Sequence, residues 1–124
     1  MSQLIVTIRA MDSALIDQAI ELLEKANADL EPELLRAPVA RRLLTSYARA
    51  RRLVDFGIAA ISRKVDDAAE VAQATGTSMG RAKAVVETGK TMSHSDELSA
   101  ALQHGDISLD QAAEIAAAEE SAPG

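Results

Sequence analysis

With 124 residues, 48% of them hydrophobic and only Tyr47 and Phe56 aromatic, the chain suits one domain whose core is built from Ala, Leu, Ile and Val, side chains small enough to let helices approach closely. The absence of cysteine excludes disulfides and thiolate metal sites, and no run reaches the roughly 20 apolar residues of a membrane span. A net charge of −6 argues against indiscriminate nucleic-acid binding. That charge is divided, however: residues 36–64 hold eight basic residues against one acid, net +7, and residues 65–124 hold three against eleven, net −8.

The start of the chain carries an apolar patch, Leu4, Ile5, Val6 and Ile8, readable as a short strand or a helical start. It has neither a basic leader nor a small-residue cleavage site, so a cytoplasmic location is expected. The first helix is predicted from Asp12 or Ser13, with Leu15, Ile16, Ala19, Ile20, Leu22, Leu23 and Ala26 on one face and Asp17, Glu21 and Glu24 on the other. The pattern fades at 27–29, and Pro32 marks a break or a new first turn.

A second long helix opens near Pro38 and reaches Ser62 or beyond. Its residues Arg41, Arg42, Arg49 and Arg52 fall within an arc of roughly 100°. Leu43, Tyr47, Ala50, Val54, Ile58 and Ile61 lie opposite, which predicts an apolar face and an arginine face. Gly57 weakens this helix, and its missing side chain would permit close packing.

Four short helices follow, separated by glycine and a capping residue. The first spans 66–75 with Asp66 and Asp67 at its positive end, and Gly76 stops it. The next opens on Thr77 or Ser78 and ends at Gly89. A third, capped by Ser93 or Ser95, runs to His104 and Gly105. Ser108 and Gln111 form a capping box for the last, and residues 119–124 read as a frayed tail or the start of a linker. The whole predicts an all-α domain, 1–118, of about six helices, with long helices over 12–64 and a short-helix half over 65–118.

Within that half, residues 66–88 have the parts of a helix-turn-helix-like unit. Ala72 is small where a second helix crosses. Gly76 tolerates a left-handed turn, and Ser78 caps the following helix. Val71, Ala82 and Val85 can hold the crossing. Thr77, Ser78, Met79, Arg81 and Lys83 would then be exposed, placed as a DNA reader places groups toward bases and phosphates. The same punctuation also makes an ordinary packing hairpin, and Asp66, Asp67, Glu70 and Glu87 would repel phosphate. The arginines 41, 42, 49 and 52 suit phosphate contact equally well; otherwise they form a solvated surface paired with acids of the first helix or the C-terminal half.

Nothing points to catalysis. His94 and His104 lack metal-ligand spacing, and His104 before Gly105 reads as a helix-dipole partner. There is no phosphate-binding glycine loop and no nucleophile motif. No metal, cofactor or small-molecule substrate is expected.

The stretches 75–92 (TGTSMGRAKAVVETGKTM) and 98–116 (LSAALQHGDISLDQAAEIA) resemble the domain of unknown function 222 of actinobacteria and their phages, which often precedes an HNH endonuclease module. The matching residues are Thr75, Gly76, Ser78, Arg81, Ala82, Leu98, Ala101, Gly105, Ile107, Ser108, Gln111 and Ala112, within a likeness covering roughly 40–118. The aromatic-rich segment usual in that family is absent, as are the HNH residues, so the resemblance implies DNA association without nuclease activity in these residues. A weaker likeness to ParB-like partition proteins points the same way. Two functional expectations follow: a non-catalytic DNA-binding or positioning module, or an oligomerisation or protein-interaction module. A homodimer through the long, charge-complementary N-terminal helices is compatible with both.

Overall fold

Alanine-rich sequence punctuated by glycine and serine favours helix. The computed structural model describes residues 2–121, with side chains from 14 to 119, and is 84% helical without a strand among those residues. Six helices follow in order: α1 (Ser2–Asp29), α2 (Ala37–Val65), α3 (Ala68–Thr75), α4 (Met79–Met92), α5 (Asp96–Gln103) and α6 (Leu109–Ser121), with a 3-10 turn at Pro32–Leu34 between the first two. The chain divides into two compact units, Met1–Ala40 and Arg41–Gly124. This division falls at the start of α2, away from the junction near residue 64 at which the charge pattern changes.

The first unit is dominated by α1. It begins at Ser2, well before the predicted caps Asp12 and Ser13. Leu4–Ile8 is helical: a lone strand has no ladder partner, whereas each residue added to an existing helix gains a hydrogen bond. Every described α1 side chain from residue 14 onward is exposed. Pro32 opens the 3-10 turn, closed by the amides of Leu34 and Leu35 donating to the carbonyls of Glu31 and Pro32.

The second unit holds the core: Ala59 of α2, Val71 of α3, Ala82, Val85, Val86 and Met92 of α4, Leu98 and Leu102 of α5, and Leu109, Ala112 and Ala116 of α6. Helix α4 lies at its centre, packed against α3, α5 and α6. It does not end at Gly89 as predicted but continues to Met92. Gly89 is needed for a different reason: a Cβ there would land on the Ala59 carbonyl oxygen and crowd the Arg63 Cβ. The missing side chain is what lets α4 cross α2. Gly57, the glycine expected to do this, has open space where its side chain would be.

The joints are made by local polar chemistry. Asp66, at φ 51°, ends α2 in a left-handed conformation. Asp67 caps α3, its Oδ1 accepting from the amides of Ala69 (3.0 Å) and Glu70 (3.3 Å). Gly76, at φ 69°, ends α3, and Ser78 Oγ accepts from the Arg81 amide to start α4. Ser95 caps α5. The predicted capping box closes α6: the Ser108 amide donates to Gln111 Oε1 and the Gln111 amide to Ser108 Oγ. Helix α6 runs through Ser121, past the predicted fraying point at 119; residues 122–124 lie outside the described residues.

Helix α2 departs from the expected faces in its C-terminal half, although Ile58 of the expected apolar face does pack on the core. Its buried residues are Ala59 and Ser62, with Phe56 and Ile58 packed against the core. Arg52 and Arg63 lie on the side turned toward the core. Val54 and Ile61, assigned to the apolar face, are exposed. Small residues explain the departure: Ala59 and Ser62 let α4 come close, whereas Val54 and Ile61 would hold it away.

Candidate functional site

The helix-turn-helix-like unit is present as α3, a three-residue turn at Gly76, Thr77 and Ser78, and α4. Val71, Ala82 and Val85 are buried in the crossing, with Ala72 packed beside them. Of the five side chains expected outside, Ser78, Met79, Arg81 and Lys83 are exposed. Thr77 is half-buried and shares a 2.9 Å hydroxyl–hydroxyl hydrogen bond with Thr75. The Ser78 hydroxyl is committed to its cap. Both groups serve the turn.

Arg81 Nη1 lies 2.6 Å from Asp110 Oδ1 on the first turn of α6. Both groups are solvent-exposed, so this pair contributes little to stability. It nevertheless directs the guanidinium toward an acid of its own chain. Lys83 carries no such pair among the described residues.

The arginines of α2 divide into two sets. Arg52 Nε donates to the Gly105 carbonyl at 2.7 Å, and the Arg49 stem runs beside that glycine. Arg63, outside the predicted set, does the equivalent for the Gly89 carbonyl at 3.2 Å. These guanidiniums satisfy backbone oxygens at turns or crossings. Arg41, Arg42 and Arg49 are exposed, and none is ion-paired to an acid among the described residues.

One residue of each predicted cluster, Arg52 and Arg81, lines an open cleft of about 540 Å³ between α2, the start of α4 and the start of α6, and the other predicted residues do not. Arg51 and Arg52 enter it from α2, Arg81 from α4, and Tyr47 and Leu44 form an apolar wall. Asp55 and Asp110 line the same cleft, so three guanidiniums face two carboxylates. Asp55 already accepts from the Leu109 amide at 3.2 Å, tying the first turn of α6 to α2. Neither Arg51 nor Asp55 was marked by the sequence pattern. Asp55 did carry a signal, as the single acid in the basic stretch 36–64.

Away from the cleft, Lys90 bridges α4 to the joint before α3, with Nζ 3.1 Å from Asp66 Oδ1 and 3.7 Å from Glu87 Oε1. The Asp66 hydrogen bond and charge, helped by Glu87, raise the Lys90 pKa above its ordinary value. Among the described residues no three His, Asp or Glu side chains converge as metal ligands, and no helix is long and apolar enough to cross a membrane. His104 forms the end of α5, its amide donating to the Ala100 carbonyl.

No family model, curated protein or solved structure matches this chain.

Proposed function

We propose that this chain is a non-catalytic helical module that lies against nucleic acid in the cytoplasm, of the kind that accompanies an HNH nuclease module. The observation that carries the reading is the N-terminal half of α2 in the second unit. Arg41, Arg42 and Arg49 project from one side of one helix within an arc of about 100°, exposed and without acidic partners among the described residues. A rigid helix presenting several guanidiniums in register suits a phosphate backbone, which each can grip through two parallel hydrogen bonds. Lys83 adds a charge from α4. Arg81 is a weaker candidate than its place in the turn motif suggests, because Asp110 competes for it. The likeness of 75–116 to the nuclease-associated domain supports the same reading.

Binding to a short duplex across a salt series tests this. Three phosphate contacts give a slope of log K against log salt of about −2.7. Replacing Arg41, Arg42 and Arg49 together by Ala removes most of the slope, whereas Arg81→Ala changes affinity by no more than about threefold, the reach of a weak exposed contact. Absence of binding at low salt overturns the proposal.

A second reading, self-association or docking on another protein, is favoured by a separate observation. Large apolar side chains stand uncovered along both long helices, among them Leu15, Leu22, Leu44 and Ile61, each more than half exposed. The two readings are compatible, since dimerisation would double the set of phosphate contacts.

A further inference from the structure

The uncovered faces of α1 and α2 have complementary properties. On α1, Leu15, Ile16, Ala19, Ile20, Leu22, Leu23 and Ala26 fall within an arc of about 160°, and all are exposed. On α2, Leu44, Val54, Ile61 and Val65 are exposed within an arc of about 100° that also holds the half-buried Tyr47 and Ile58. The stripe runs from residue 44 to 65, about 32 Å along the helix, and the described α1 face, residues 15 to 26, spans about 17 Å, about half of it. Charge separates the two helices: residues 14–33 carry six acids against Lys25, net −5, and residues 37–65 carry seven basic residues against Asp55, net +6. At the edges of the α1 face stand Glu24 and Asp29. Arg51 stands within the α2 stripe near its Leu44 side, and Lys64 lies about 60° beyond its Ile61 side.

We infer that the occupant of the α2 stripe is α1 of a second copy of this chain, in a two-fold dimer in which each α1 lies on the partner's α2. This deepens, and rests on, the self-association reading. Two acidic faces repel when paired with each other, and so do two basic ones; acid against base satisfies both helices and doubles under two-fold symmetry.

Light scattering on the full chain and on charge-swapped chains tests this. The unaltered chain is expected at twice the monomer mass at high micromolar concentration. Chains carrying Arg51→Glu with Lys64→Glu, or Glu24→Lys with Asp29→Lys, should each be monomeric with unchanged helical circular dichroism, since all four side chains are exposed. Mixing the two variants should restore a dimer: one contact then pairs two unaltered helices, and the other pairs two swapped ones. Ile61→Glu should abolish the dimer in every background. A monomer at every concentration overturns the inference together with the self-association reading. A dimer that ignores both charge swaps and Ile61→Glu leaves self-association standing and overturns the pairing of α1 with α2.

Discussion

Helices α1 and α4 are both amphipathic, yet they sit in opposite environments. α1 carries the bulkier apolar side chains, and every one described is exposed. α4 offers mostly small residues, Ala82, Val85, Val86, Thr88 and Gly89, with Met92 at its end, and buries all six. Bulk is therefore a poor guide to burial here. At the centre of this core, small residues of α4 let neighbours close on it from several sides, as Gly89 allows for α2. The long aliphatic side chains of α1 find no covering surface among the described residues of their own unit.

The same deletion at a covered and at an uncovered leucine should show the difference in burial most strongly. Leu102 on α5 is fully buried in the core, and Leu102→Ala should cost about 2–5 kcal/mol. Leu22→Ala, in chain dilute enough to be monomeric, should stay within about 0.5 kcal/mol. Urea unfolding followed by circular dichroism measures both, and similar costs would break the comparison. Next in size is Gly89→Ala, expected to destabilise by about 1–3 kcal/mol because the new methyl meets the Ala59 backbone rather than a side chain that could turn away. Gly57→Ala, where the space is open, should be stabilising by up to about 1 kcal/mol. Equal effects at the two glycines would place the close crossing elsewhere.

Smaller again is the tie between α2 and α6. Asp55→Ala removes the side-chain acceptor of the Leu109 amide and should cost about 1 kcal/mol; faster hydrogen exchange at that amide locates the loss. The smallest expected effect is electrostatic. Lys90 has a raised pKa in the folded chain, owing first to its hydrogen bond with Asp66. Its contribution is therefore fully present below the ordinary lysine value of about 10.4 and is lost as pH rises through the raised folded value. Unfolding midpoints should fall over that alkaline window, and Lys90→Met should flatten the fall.

Much of the second unit was legible in the sequence because its joints are local. Gly76, Ser78, Ser95, Ser108 and Gln111 act within a few residues of themselves, and each does what its residue type predicts. What could not be read was set by distant partners. Periodicity shows that α2 has two faces, but only packing decides that the Ala59 and Ser62 side is the one buried. Gly89 looks like a helix end from its neighbours and becomes a crossing point only once α2 lies beside it. The site divides in the same way. Arg81 is placed on an exposed helix start as expected, but its pairing with Asp110, 29 residues away, leaves no local trace, and neither does the capture of Arg52 by Gly105.

Two of these distant contacts constrain the order in which the chain can be completed as it is made. Arg52 and Asp55 leave synthesis early, and the groups that answer them, the Gly105 carbonyl and the Leu109 amide, follow 53 and 54 residues later. At about 5–20 residues per second that interval is roughly 3–10 s. Throughout it, α2 can be helical but stays unfastened, with its small-residue side waiting for α4 and its apolar stripe already open to another nascent chain. A chain interrupted before residue 105 never receives either fastening, so the end of the sequence decides when its middle is finished.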